Sequence, residues 1–158
     1  MRAASAIPRT IAARTIPGAQ VAALPYRLGP SGIEILLITS RRTQRWIVPK
    51  GWTEKGSTPA ADAAREALEE AGVSGEIAAD PIGIFHYIKE MKHGVGVPCR
   101  VSLYPLKVTR QRRSWSEKAA RETKWHSVPE AAELVTEPEL KRLIMKFGTQ
   151  TAQKSVQS

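Results

Sequence analysis

Glu66, Glu69 and Glu70 are the residues whose types and spacing best fit a chemical function. Spacings of three and four residues place them on one face of a helix. Like charges at these spacings repel, and the last turn before Gly72 adds a helix dipole that disfavours anions. A hard divalent cation takes oxygen ligands and would neutralise the cluster. The pattern therefore predicts a metal-binding site, although a solvated acidic helix face is the ordinary alternative for such a run.

The residues around this cluster favour the functional interpretation. Arg65 precedes it, Gly72 and Val73 follow it, and Gly51 opens a loop upstream. Written as G-x5-S-x7-R-E-A-x-E-E-x-G-V, the segment resembles the Nudix box, G-x5-E-x7-R-E-U-x-E-E-x-G-U, in which U is an apolar residue. Seven positions match at fixed spacing, and Ser57 stands where the pattern has its first glutamate.

The resemblance implies a Nudix-type pyrophosphohydrolase that cleaves phosphoanhydride bonds with Mg²⁺ or Mn²⁺. Such a metal neutralises phosphate charge and acidifies a bound water. Either Glu66 or Glu70 is also a candidate general base. The groups that the resemblance assigns to the metal are the carboxylates of Glu66, Glu69 and Glu70 and the carbonyl of Gly51.

Arg65 is expected to orient a neighbouring carboxylate rather than to touch the substrate. In the family its partner is often the first glutamate of the box, which is Ser57 here. Because a serine cannot pair with Arg65 as a charge, Glu54 in the same loop is a candidate replacement. Residues 45–49 and 83–85, together with Trp125, resemble the diphosphoinositol polyphosphate phosphohydrolase branch of the family, which points to inositol pyrophosphates or diadenosine polyphosphates as substrates.

Substrate binding requires cations for phosphates and a flat side chain for stacking on a ring. Lys50 and Lys55 flank the loop, and Trp52 lies inside it. Arg121 lies four residues before Trp125, where that branch has a phosphate-binding arginine. Any one of these residues is more often an ordinary surface residue. The candidates for substrate binding are Arg45, Lys50, Trp52, Lys55 and Arg121, with Lys92 and Arg100 as weaker ones.

The elements that must position these residues follow from apolar runs and turn signals. Strands are expected at 19–27, 33–39, 46–48, 83–88, 100–108 and 122–128, and helices at 130–135 and from 138 to about 147. The central helix starts with Thr58 as N-cap and Pro59 at its first position. Residues 91–98 are expected to form a mobile loop. The expected apolar stripe of the central helix consists of Ala61, Ala64, Leu68 and Ala71.

This pattern predicts the α/β class, with a mixed β-sheet between helices. The Nudix resemblance implies the same α/β/α sandwich. Residues 17–147 are expected to form the catalytic domain. Residues 1–16 are interpreted as a flexible basic arm, and residues 148–158 as a polar, disordered tail.

Composition limits the partners. The 158 residues carry a net charge of +9, so phosphorylated molecules or other anions fit as ligands. The single cysteine, Cys99, fits a reducing compartment, and we expect a cytoplasmic protein. No stretch has the length of a transmembrane helix, and no signal peptide is visible.

Two other functions remain open at this point. The first keeps the enzyme but changes its substrate to nucleoside triphosphates or the 5′ end of RNA. The second is a weakly catalytic module that binds RNA or polyphosphate through its positive charge. The acidic cluster argues against the second, because a protein that only binds anions has little use for three carboxylates on one helix face.

Overall fold

The computed structural model describes residues 19–157, with side chains through residue 152. The basic arm assigned to residues 1–16 lies outside this range. The elements are β1 (Ala19–Gly29), β2 (Gly32–Thr39), β3 (Trp46–Ile47), β4 (Lys50–Trp52), α1 (Pro59–Ala71), β5 (Val73–Ile77), β6 (Gly83–Glu90), β7 (Gly96–Gln111), β8 (Thr123–Ser127), α2 (Val128–Leu134) and α3 (Pro138–Gln157).

One mixed sheet of eight strands organises the described residues. Its main path runs β3-β2-β1-β7-β5, while β4 pairs with β1, β6 with β7 and β8 with β2. Strands β1 and β7 are parallel, and the other pairs are antiparallel. The two first strands form the expected hairpin, with Gly29 opposite Gly32.

The sheet is buried on both faces, as the continuous apolar run in β2 predicted. Along β1, Val21 and Ala23 face α1, whereas Ala22 and Leu24 face α2 and α3. This alternation follows from the two-residue period of a strand. The predicted α/β/α sandwich with a central mixed sheet is therefore confirmed.

The packing face of α1 differs from the expected one. Ala61 is exposed, and Ala64 and Leu68 are only half-buried. The helix instead buries Ala63, Ala67 and Ala71 against the sheet, a stripe with helical spacing that is rotated from the predicted one. The physical reason is that Asp62 and Glu70 are also buried on this side, because both accept backbone hydrogen bonds from the preceding loop.

One further expectation, about the connection between β6 and β7, was wrong. The predicted loop 91–98 is short, because β6 runs to Glu90 and β7 begins at Gly96, and these two residues pair across the sheet. Pro98 is accommodated opposite Ile88 within the ladder, so it does not end the strand. Between the strands lies one short 3₁₀ turn, Lys92–Gly94, in which His93 has a φ of 66°.

The last helix is longer than expected. It continues past Phe147 through the segment assigned to a disordered tail and ends at Gln157. A single glycine costs a helix only about 1 kcal/mol, so Gly148 does not have to end it. Thr149 and Thr151 donate to the carbonyls four residues earlier. Within residues 19–157, no helix is both long and apolar enough to span a membrane.

Candidate active site

Both ends of α1 are fixed by capping. At the start, the Thr58 side chain accepts from the Ala61 N–H at 3.1 Å, as predicted. At the end, Gly72 adopts the left-handed conformation with φ 70°, which glycine tolerates best. The connection between β7 and β8 closes over this end, since Arg112 N donates to Gly72 O at 2.8 Å and Glu117 N donates to Glu69 O at 3.1 Å. These donors satisfy carbonyls that the helix itself leaves unpaired.

The three glutamates differ in their surroundings. The side chains of Glu66 and Glu70 are 13% and 10% exposed, and both line a large cavity. Glu69 is 47% exposed and lies outside the cavity lining. Burial, with added repulsion from Glu70, raises the pKa of Glu66 to about 7. Burial also raises the pKa of Glu70, although Arg121 and the N–H of Lys50 oppose the shift.

Arg65 contacts the acidic side chains around it, as expected for an orienting residue. Its Nη1 lies 2.8 Å from Glu54 Oε1 and 3.5 Å from Asp62 Oδ1. Its Nη2 lies 3.3 Å from Glu66 Oε2, and Nε lies 3.9 Å from Glu69 Oε1. The contact with Glu54 is the replacement proposed for the missing glutamate at position 57. The Ser57 side chain is exposed and reaches only the carbonyl of Thr58.

Asp62 contributes to the site in a way that the sequence did not reveal. Its side chain is buried, and Oδ2 accepts the backbone N–H of Glu54 at 2.9 Å. Asp62 therefore ties the loop to α1 while it also contacts Arg65. A first-turn acid is expected to favour the helix dipole, and that signal is too general to indicate this second role.

Arg121 is held beside Glu70 rather than free in solution. Its Nη2 lies 3.3 Å from Glu70 Oε2, its Nε lies 2.9 Å from Glu117 Oε1, and its Nη1 donates to the carbonyl of Thr39 at 3.0 Å. Sequence reasoning missed Glu117, for which the only signal was a spacing of four from Arg121. These contacts make Arg121 a residue that fixes a carboxylate at the edge of the cavity.

The cavity has a volume of about 1270 Å³ and walls of opposite charge. Glu66 and Glu70 form its acidic part, with Gly51 beside Glu66, and two further glutamates, Glu90 and Glu137, also line the cavity. Of the predicted substrate-binding residues, the cavity gathers Arg45, Lys50, Trp52 and Arg121 but not Lys55, Lys92 or Arg100. The cations that line it are Arg41, Arg42, Arg45, Lys50, Lys89 and Arg121. The turn 41–45 follows β2, and three of its arginines thus belong to the site.

The donor set can be tested against a divalent metal. Among the described residues, no group of three or more acidic, histidine or cysteine side chains is already arranged to hold an ion. The chemistry nevertheless fits: Glu66 and Glu70 are mostly buried beside each other, and burial together with repulsion by Glu70 raises the pKa of Glu66 to about 7. A Cβ on Gly51 would collide with the Glu66 carboxylate, so a larger residue there would displace that carboxylate from its present position. Oxygen ligands of this type suit Mg²⁺ or Mn²⁺.

Comparison with known proteins adds relatives that are similar in sequence. Nudix hydrolase 12, mitochondrial, of Arabidopsis thaliana is 31% identical over 118 residues, which are 73% of this chain and 58% of that protein. Diphosphoinositol polyphosphate phosphohydrolase 3-beta of Homo sapiens is 34% identical over 105 residues, covering 65% of this chain and 60% of that protein. The chain spans between 53% and 64% of the lengths of Arabidopsis Nudix hydrolases 12, 13 and 16.

Solved structures agree on the fold. The binary complex of C. elegans Ap4A hydrolase superposes with a TM-score of 0.64 at 24% identity, over 85% of this chain and 98% of that one. At this identity the likeness concerns the fold alone. The NUDIX domain profile matches residues 19–147, which is most of the chain. With this match, the box between Gly51 and Val73 and the sandwich fold, the chain belongs to the Nudix family.

Proposed function

We propose that this chain is a divalent-metal-dependent hydrolase of phosphoanhydride bonds in polyphosphorylated small molecules. The observation that carries the proposal is one cavity that joins the Glu66 and Glu70 carboxylates to a wall of cations. An acidic part can hold a metal, and a basic part can hold the phosphates that the metal activates. Neither part alone would serve hydrolysis of an anhydride.

The basic wall binds and orients the phosphate chain. Arg41 and Arg42 extend from the exposed turn after β2, while Lys50 lies deeper, next to the acidic part. Guanidinium groups pair with phosphate oxygens in a two-point geometry, whereas an ammonium acts as a point charge. Contacts on both sides of the scissile bond would hold it in line with the attacking water.

The carboxylates would hold the metal and take the proton of the attacking water. Glu66, Glu69, Glu70 and the carbonyl of Gly51 are the groups that would hold Mg²⁺ or Mn²⁺. When bound, the ion supplies charge neutralisation and a more acidic water. Both candidates for the general base, Glu66 and Glu70, line the cavity, whereas Glu69 does not. Arg121 and the backbone N–H of Lys50 fix the orientation of Glu70.

Long phosphate chains fit the cavity best, because its cations are spread over several elements. Relatives and structural neighbours are named for diphosphoinositol polyphosphates and for Ap4A, both of which carry several linked phosphates. We therefore favour diadenosine polyphosphates or inositol pyrophosphates. Trp52 is 44% exposed at the cavity and can stack on any ring, which keeps nucleoside triphosphates and the RNA 5′ end as the second candidate.

The compartment is a prediction of the same kind. Cys99 is buried and free, as suits the reducing cytoplasm. Several relatives carry mitochondrial or chloroplastic names. Cell fractionation tests the prediction, and we expect this chain in the cytoplasmic fraction.

The test is product release across a substrate panel with Mg²⁺, with EDTA as control. We expect kcat/KM for diadenosine tetraphosphate or an inositol pyrophosphate to exceed that for ATP, and to fall steeply between about 0.05 and 0.5 M salt because charges beyond the Debye length are screened. EDTA should abolish turnover. Absence of hydrolysis for every anhydride, with tight binding of RNA or polyphosphate, would instead support a binding module.

A further inference from the structure

Lys50 is placed unusually for a cation. It lies on the short strand β4, opposite Ala22 of β1, and its side chain lines the cavity beside the acidic part. Burial lowers its pKa to about 8, which Glu70 and Glu137 partly oppose. No carboxylate of the described residues lies within 4.0 Å of its ammonium. Something other than an ion pair therefore holds this side chain.

An aromatic ring lies where a carboxylate partner of Lys50 would be expected. The Nζ atom of Lys50 lies 4.7 Å from the centroid of the Tyr87 ring, within the range of a cation–π contact. Tyr87 belongs to β6, on the far side of β7 from β1. Its hydroxyl donates to Gln20 Oε1 at 2.6 Å, and Gln20 is buried on β1. All three side chains line the same cavity.

The contact has a consequence for ligand binding. A carboxylate partner would occupy the donors of the ammonium and cancel its charge, whereas a ring face attracts the cation and accepts no strong hydrogen bond. The three N–H donors of Lys50 stay available for phosphate oxygens. A lysine has four rotatable bonds and would otherwise lose much freedom on binding. The hydrogen bond to Gln20 in turn fixes the ring.

We propose that Tyr87, fixed by Gln20, is a positioning residue that holds the Lys50 ammonium in the cavity to receive a phosphate of the substrate. The inference rests on the proposed function and adds a residue outside the Nudix box to the binding apparatus. The ligand class is any chain of linked phosphates, because an ammonium interacts with the phosphate charge and does not distinguish the nucleoside or inositol attached to it.

The kinetic test is a double-mutant cycle with diadenosine tetraphosphate and Mg²⁺. We expect Tyr87→Leu and Lys50→Met each to raise KM about tenfold with kcat within about threefold, as loss of uniform binding should. The double variant should be no worse than Lys50→Met alone, because one residue acts through the other. Tyr87→Phe retains the ring but loses the hydrogen bond to Gln20, so its KM should lie between those of wild type and Tyr87→Leu.

A binding test separates this inference from the proposed activity. Calorimetric titration with inorganic tripolyphosphate in EDTA needs no turnover. Tyr87→Leu and Lys50→Met should each raise Kd, and the double variant should bind no more weakly than Lys50→Met alone. Tyr26→Leu is the matched control, since Tyr26 packs on Phe147 outside the cavity; it should leave Kd unchanged. If Tyr87→Leu does not fold, Tyr87→Met replaces it. Additive effects of the two residues, or a lower Tm with unchanged Kd and KM, would overturn the inference.

Discussion

The acidic end of α1 and the arginine turn after β2 line the same cavity, yet they differ in how their side chains are held. Glu66 and Glu70 are almost buried and held by Arg65, Arg121 and a backbone N–H. Arg41 and Arg42 are exposed and lie in the turn formed by residues 41–43. Under the proposed function, this difference implies that the carboxylates are preorganised for catalysis, whereas the arginines adapt to the phosphates of the ligand. Removing a carboxylate should therefore affect kcat, and removing an arginine should affect KM.

The largest expected effect is loss of a carboxylate. Glu70→Gln keeps the shape and the hydrogen bond from Lys50 but removes the charge beside Arg121. We expect kcat to fall at least about a hundredfold at saturating Mg²⁺, with a similar loss in Glu69→Gln, because a metal or base carboxylate is removed. Glu133→Gln, an exposed change on α2, is the matched control. Near-wild-type turnover in both Glu69→Gln and Glu70→Gln would show that the acidic end is not catalytic.

The second prediction concerns the loss of folding stability caused by the ionised Glu66 carboxylate. The folded pKa of Glu66, about 7, lies above its usual value, so the folded protein holds a proton that the unfolded chain releases above about pH 4.5. The contribution of Glu66 to the free energy of unfolding therefore falls as pH rises from about 4.5 to 7, and the full penalty persists above pH 7. Burial is the main cause of the raised pKa; repulsion by Glu70, Glu69 and Glu117 adds to it, and Arg65 opposes it.

Glu66→Gln removes this penalty. In EDTA at pH 8, we expect the variant to be more stable than wild type by about 1–3 kcal/mol, and the two to agree near pH 4.5. Urea unfolding at both pH values measures the difference. Mg²⁺ should stabilise the wild type more than the variant, since it binds only the folded state. An equal difference at both pH values would mean that packing rather than charge is the cause.

The contrast between the two regions also explains what the sequence could predict. Helix ends are local, so Thr58 and Gly72 identified the ends of α1, and fixed spacing identified its glutamates. Asp62 and Glu117 join the site through loop contacts that no periodicity records. Arg41, Arg42 and Lys89 reach the cavity because β2, β3 and β6 end near it, which requires the strand order. The predicted apolar stripe of α1 was wrong because Asp62 and Glu70 are buried, whereas acidic side chains are usually exposed.

The third prediction tests whether the substrate is bound by the arginines that line the cavity or attracted by the net positive charge of the whole protein. The double variant Arg41→Ser/Arg42→Ser should raise KM for diadenosine tetraphosphate about tenfold and flatten its salt dependence, with kcat nearly unchanged. Its control, Arg112→Ser/Arg113→Ser, removes the same charge from exposed residues that do not line the cavity. We expect less than about a twofold effect from the control. Equal losses in both variants would mean that the general positive field attracts the substrate.

The smallest expected effect lies at Ser57, the one departure from the box. Arg65 already has Glu54 at 2.8 Å, so Ser57→Glu adds a carboxylate to an exposed position whose role is filled. We expect Tm and kcat/KM to stay close to wild type, or metal binding to tighten slightly, because exposed substitutions are within about 0.5 kcal/mol of neutral. Glu54→Gln should lower kcat/KM by about threefold, the scale of an exposed ion pair. Ser57→Glu should then restore it in the Glu54→Gln background, as measured by steady-state kinetics with Mg²⁺ titration. A Ser57→Glu protein that loses activity and melts much lower would show that this loop follows a different design, and failure to rescue would mean that Glu54 does not act in place of the family's glutamate.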